Sequence, residues 1–197
     1  PRQIDWLARH SDLVLAGNRW LVREAENAGG TAVYFPTVVD TDYWKPAKAP
    51  PKGLQAGWMG SPSTAPYLKL LGEDFVARAG MPLVCYGASE APIAGAEVRP
   101  WRLESEVDDI QHCAIGVMPL PKTDWARGKC ALKALQYMAC AVPCIATPFG
   151  AVTNVITNGV DGCFADAPGT WAEYAARLRD PALRTAMGEE GRDTVAS

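Results

Sequence analysis

Residues 128–166 read GKCALKALQYMACAVPCIATPFGAVTNVITNGVDGCFAD, and this stretch decides the fold. Apolar residues recur at helical spacing from Lys129 to Cys140. A proline then opens Pro143–Thr147, whose consecutive small and β-branched residues mark a strand covered on both faces. The Pro148-Phe149-Gly150 turn leads to a helical pattern over Val152–Asn158, and a further strand follows at Cys163–Ala165. Helix, buried strand, turn, helix, strand is the grammar of βαβ units and of a mainly parallel sheet.

Outward from this segment the same alternation continues. Strands are expected at Leu13–Ala16, Ala32–Phe35, Leu54–Met59, Leu83–Tyr86, Glu97–Arg99 and Ile115–Met118. Helices are expected at Leu21–Ala28, Ala65–Ala79, Glu104–Cys113 and Thr170–Arg179, with Pro181 in the first turn of a closing helix. Trp6–Ala28 reads as helix, strand and helix of a neighbouring layer. Residues 45–53, Lys-Pro-Ala-Lys-Ala-Pro-Pro-Lys-Gly, read as a hinge that can be neither helix nor central strand. The class is α/β.

Composition narrows the function. The 197 residues carry 19 Lys+Arg and 22 Asp+Glu, a net charge of −3, so no basic excess exists to hold nucleic acid. No apolar run approaches the roughly 20 residues of a spanning helix. The six cysteines show no C-x-x-C spacing, and the two histidines, His10 and His112, make a poor metal set. Reduced thiols packed as small apolar groups are the expectation.

Two loops at the carboxyl ends of strands carry the chemistry, the edge where open α/β sheets bind ligands. After Leu54–Met59, Gly60-Ser61-Pro62-Ser63-Thr64 runs into a helix at Ala65, a strand–turn–helix that offers N–H groups and a positive dipole end to an anion. After Ile115–Met118, Arg127 and Lys129 flank Gly128 where the next helix is read to begin. Cations there oppose the dipole, a conflict that a phosphate relieves. Asp108 and Asp109, adjacent on a helix, point to different sides and make no acid/base pair. A dinucleotide oxidoreductase fits the strand pattern but not the loops, because no G-x-G-x-x-G follows a strand.

The segment 128–166 resembles the signature of retaining glycosyltransferases of family 4, supported in order by VYFPTVVDTDYW (33–44), GWMGSPSTAPYL (57–68), IGVMPL (115–120), GCFAD (162–166) and LRTAMGEEGR (183–192). The resemblance implies a Rossmann-like α/β/α sandwich, the nucleotide-sugar-binding half of a GT-B fold. It implies that residues 1–30 are the tail of an N-terminal acceptor domain and linker, and 31–197 the donor domain, stopping before a final crossover helix. The full-length protein would be a nucleotide-sugar-dependent hexosyltransferase of polysaccharide biosynthesis. It would be cytoplasmic, with peripheral association at the inner membrane face a family-level expectation. The fragment alone would be inactive.

The resemblance also places residues. The donor diphosphate falls to Gly60, Ser61, Ser63, Thr64, Arg127, Lys129 and Lys133, the ribose and sugar to Gln136 and Gly128, and the base to Arg99 and Trp101. It calls for no metal and no cofactor, the nucleotide-sugar being substrate. The family's two glutamates, with seven residues between them, align with Gly128 and Gln136, so both carboxylates are absent and no catalytic residue is assigned. The family's cation in the first loop is also absent, leaving Arg127, Lys129 and Lys133 to supply the charge. A non-catalytic nucleotide-sugar-binding or regulatory module is the alternative reading.

Overall fold

The computed structural model describes residues 2–49, 51 and 53–197. Helix α1 (Arg2–His10), strand β1 (Val14–Ala16), helix α2 (Arg19–Asn27) and strand β2 (Ala32–Tyr34) come first. β1 and β2 pair in parallel as a two-stranded sheet of their own. β2 lies beyond the boundary expected at residue 30, so this smaller sheet runs to Tyr34. The described residues of 45–53 form neither helix nor strand.

The rest of the chain builds a six-stranded sheet from β3 (Ala56–Met59), β4 (Leu83–Tyr86), β5 (Ala96–Arg99), β6 (Ile115–Met118), β7 (Cys144–Ala146) and β8 (Gly162–Phe164). Every neighbouring pair is parallel, in the order β5-β4-β3-β6-β7-β8. The helices are α3 (Phe75–Ala79), α4 (Glu106–Gln111), α5 (Asp124–Arg127), α6 (Leu132–Ala139), α7 (Pro168–Arg177) and α8 (Pro181–Ala196). Alternate residues of one strand enter opposite cores. Leu83 and Cys85 join Trp58, Phe75 and Trp171 on one face, while Val84 and Tyr86 join Ile110, Tyr137 and Met138 on the other. Burial of both faces is why these strands read as unbroken apolar runs.

Strand order reverses between β3 and β6, and α6 lies over that seam because two glycines leave room. A Cβ at Gly116 would strike the Tyr137 ring, and one at Gly57 would strike Cys113 Sγ. The Tyr137 hydroxyl then donates to the Gly57 carbonyl at 3.1 Å. Farther along, the Arg192 guanidinium donates to the carbonyls of Ala139, Trp44 and Thr41, tying α8 to α6 and to the turn at 41–44. Asp180 caps α8 through the Ala182 N–H at 2.8 Å, with Pro181 in the first turn as expected.

Several helices are shorter than the periodicity predicts. The helix expected over Ala65–Ala79 is a 3-10 helix (Ala65–Leu71) followed by α3, broken at Gly72, whose φ of 94° no helix continues through. The helix expected from Lys129 begins at Leu132, because Ala131 takes the left-handed conformation, φ 59°. The one expected at Val152–Asn158 is a 3-10 turn, Gly150–Asn154. Glu104–Cys113 resolves into a 3-10 turn at Leu103–Ser105 and α4. All six cysteines are free, five of them buried, and burial pushes the Cys85, Cys113 and Cys140 thiols up to about 12.

Candidate functional site

The reversal of strand order opens a cleft of about 280 Å³ at the carboxyl ends of β3 and β6, where open parallel sheets bind ligands. Its floor is Trp58 and Met59 from β3 and Val117 and Met118 from β6, and one wall is the loop from Lys129 to Lys133. The Thr147 hydroxyl accepts from the Leu120 N–H at 2.9 Å and fixes the loop that follows β6. Among the described residues, neither Lys129 nor Lys133 has an ion-pair partner. Lys133 is half-buried, and loss of hydration holds its ammonium below the ordinary lysine value despite the opposing field of Glu106. Glu106 acts on Lys133 through its field without forming an ion pair, and it does not offset the lost hydration, so a bound anion would favour the ammonium further.

One turn along α6 from Lys133 sits Gln136, only 5% exposed. Its Oε1 is buried and accepts no hydrogen bond among the described residues. Buried polar atoms of folded proteins are nearly all paired, so an orphan carries information. Helical spacing of three sets Lys133 and Gln136 on neighbouring positions of one face.

The turn at 60–64 differs from its expectation. Its N–H groups are mostly consumed within the chain: Gly60 donates to Tyr86 O at 3.1 Å, Ser61 to Thr64 Oγ1 at 3.2 Å, and Thr64 and Ala65 to Ser61 O at 2.9 and 3.1 Å. Pro62 and Pro66 have none to give. The Ser61 and Ser63 hydroxyls bond each other at 2.8 Å. The open anion cradle read from Gly/Ser/Thr composition is therefore a turn closed on itself, and of its residues Thr64 lines the cleft.

The cations also part company. Arg127, expected at the start of the following helix, ends α5, where the dipole favours a cation. Its guanidinium lies 5.3 Å from the Phe149 ring centre and 3.7 Å from Asp124, and it faces a second cleft beside α2. Gly128 is the C-cap between the two clefts. Asn18, the N-cap of α2, holds that partition by donating to the carbonyls of Arg127 at 3.2 Å and Lys129 at 3.3 Å. No local pattern announces a contact across 109 residues.

Arg99 ends β5, two strands from the seam, and Trp101 lies just after it; neither lines the cleft. Arg99 is held by Glu97, Nε to Oε1 at 2.8 Å and Nη2 to Oε2 at 3.2 Å, which raises its pKa. Trp101 is 45% exposed beside the Gly87 turn. Glu106, buried near Lys133, was not singled out by the sequence, since a glutamate opening a helix looks like any other. No three His, Cys, Asp or Glu side chains cluster in metal-binding fashion among the described residues, and no helix there is long and apolar enough to cross a membrane.

Known structures share this architecture. TarM of S. aureus superposes with a TM-score of 0.78 at 10% identity, over 99% of this chain and 43% of its own. HepE of Anabaena, in complex with UDP and glucose, gives 0.70 at 13%, over 98% and 60%. The C-terminal domain of a group 1 glycosyl transferase, LpcC, from Francisella tularensis gives 0.61 at 18%, over 80% and 96%. The chain thus spans less than two thirds of TarM and HepE, while LpcC's C-terminal domain is covered almost entirely. At these identities the likeness shows the GT-B glycosyltransferase fold. No curated protein matches the chain. The family profile described as "Glycosyl transferases group 1" matches residues 81–180, half of the chain, from β4 to the end of α7. With that match and the sheet it runs through, the chain belongs to the group 1 glycosyl transferases.

Proposed function

We propose that the cleft at the β3–β6 seam binds a nucleoside-diphosphate sugar, and that the protein to which this chain belongs transfers the sugar, with retention, to an acceptor hydroxyl. The carrying observation is the pair of lysines lining the cleft without ion-pair partners among the described residues, one of them desolvated; Gln136, one turn along α6 and outside the cleft lining, adds a buried Oε1 with no hydrogen bond. Lys129 and Lys133 would hold the diphosphate. Thr64 would close the cleft from the turn at 60–64, where Ser63 keeps the one N–H of the turn left unpaired among the described residues. Gln136 would accept from a ribose hydroxyl, with less strength than a carboxylate. The base would run along the edge towards Trp101 and Arg99. As the bond from the anomeric carbon to the diphosphate breaks, charge grows on the leaving oxygens, and fixed ammoniums in a low-dielectric cleft stabilise that charge most.

UDP in complex with HepE, and with the pneumococcal O-GlcNAc transferase GtfA, makes UDP the first ligand to try. Because the chain spans less than two thirds of TarM, HepE and GtfA, the acceptor side and turnover belong to a longer protein in this proposal. Calorimetric titration of the chain with UDP, GDP, ADP and CMP tests the reading. One diphosphate should bind, at least tenfold more weakly to Lys129→Ala and Lys133→Ala. Binding indifferent to both substitutions would sink the assignment.

A second reading is a non-catalytic nucleotide-sugar-binding or regulatory module, favoured by the glycine and glutamine at 128 and 136 in place of two carboxylates. Sugar transfer or hydrolysis by the full-length protein separates the two. Tight nucleotide binding without turnover selects the module.

A further inference from the structure

The second cleft, about 370 Å³, lies between α2, α5 and the 150–154 turn. Its lining includes three arginines, Arg19, Arg23 and Arg127, and no carboxylate, in a chain whose net charge is −3. Arg19 and Arg23 stand one turn apart on the same face of α2. The first turn of that helix has no acidic residue to offset its positive end, which opens towards the same cleft. Among the described residues Asp124 is the single acidic partner, 3.7 Å from Arg127 but with its side chain 82% exposed, so it screens weakly.

Two of the guanidiniums are also held in place. Arg19 lies 5.0 Å from the centre of the Tyr34 ring and Arg127 5.3 Å from that of Phe149. A guanidinium resting on a ring uses its face and keeps its in-plane N–H donors, the geometry that grips an oxyanion with two bonds. Like charges gathered on aromatic supports, beside a helix end of the same sign, describe a site whose missing component is an anion.

We propose that this cleft binds an oxyanion, a phosphate carried by the acceptor, and so makes the transferase select a phosphorylated acceptor. Assignment to the acceptor rests on the donor occupying the neighbouring cleft. The partition of Gly128 and Asn18 would then set the two substrates side by side. Binding of the anion itself does not depend on that reading.

Each cleft carries one tryptophan, Trp58 in the first and Trp20 in the second, which gives each its own reporter. In amide NMR spectra of the 197-residue chain, the two indole N–H signals are assigned with Trp58→Phe and Trp20→Phe. Glycerol 3-phosphate should shift the Trp20 signal, with or without saturating UDP, and glycerol should not. The Arg19→Gln/Arg23→Gln variant should bind glycerol 3-phosphate at least tenfold more weakly while its UDP titration is unchanged. That intact response certifies the fold. Lys129→Ala should leave the Trp20 response as it is.

Competition between UDP and glycerol 3-phosphate, or a silent Trp20, would overturn the proposal. Inorganic phosphate binding as tightly as glycerol 3-phosphate would overturn the acceptor assignment. A UDP titration that leaves Trp58 still while glycerol 3-phosphate moves Trp20 would sink the donor reading and leave the oxyanion site standing.

Discussion

Gly128 alone separates a lining residue of one cleft from a lining residue of the other, yet the two clefts are different solvents for a charge. The first is cut into the seam of the sheet, and its floor is core, Trp58, Met59 and Val117. The second is bounded by short surface elements and keeps its arginines exposed. Lys133 in the first loses hydration and its pKa falls; the second presents planar guanidiniums at the surface, suited to bidentate bonds. The contrast teaches that neighbours in sequence need not serve one ligand. Arg127 and Lys129 are two residues apart, and the turn between them sends their side chains to opposite clefts.

The largest effect should come from removing the charge of the first cleft. Lys129→Ala/Lys133→Ala should weaken UDP binding about 100-fold, roughly 2.7 kcal/mol, while Arg19→Gln should change it less than threefold. Equal losses in both, by calorimetry, would mean one continuous site. Next come the scaffolds of the two clefts. Gly116→Ala drives a methyl into the buried Tyr137 ring, an overpacking of about 2–3 kcal/mol that should lower the thermal midpoint by roughly 5–10 °C at this chain length. Gly128→Ala meets only ordinary contacts, the nearest at 3.5 Å, at φ −71°, and should shift the midpoint by under about 1 °C.

Gln136→Leu sharpens the functional claim. Removing an unpaired buried polar atom should stabilise the empty protein by about 1 kcal/mol, seen as a higher midpoint, while UDP affinity falls about tenfold. A stabilised variant that binds UDP as before would make Gln136 a bystander.

The smallest effect is in pH. Because the ammonium of Lys133 is disfavoured in the folded protein, the unfolded chain holds more protons above that lowered pKa. Stability of the empty protein should therefore rise with pH from the lowered value up to the ordinary lysine value. UDP affinity should move the other way, weakening as Lys133 discharges. Lys133→Arg should postpone that weakening to higher pH, whereas glycerol 3-phosphate binding, held by arginines, should stay flat.

Much of the fold was legible in the chain. Each of the eight expected strands is present within one or two residues, because a strand buried on both faces is a local run of apolar residues bounded by turn formers. Helix lengths were less legible. Periodicity cannot register that Ala131 turns left-handed or that Gly72 breaks a helix, since both are settled by what packs above them. At the cleft, Lys129 stood out beside Gly128 and Lys133 only through the family resemblance, while the composition of 60–64 did not show that most of its N–H groups bond within the chain, because the same residues suit a cradle and a self-bonded turn equally.

Local sequence determined the alternation of strand and helix, hence the class, the parallel sheet and the carboxyl edge at which the cleft opens, for those follow from apolar spacing and turn chemistry alone. Only the tertiary structure decided which loops meet. It set Gly57 and Gly116 side by side on β3 and β6 so that Tyr137 could settle over the seam, left Gln136 without a partner, and used Asn18 to part Arg127 from Lys129. Such contacts join residues as much as 111 positions apart. They are fixed by volume and hydrogen-bond satisfaction in the packed interior, which no window of sequence contains.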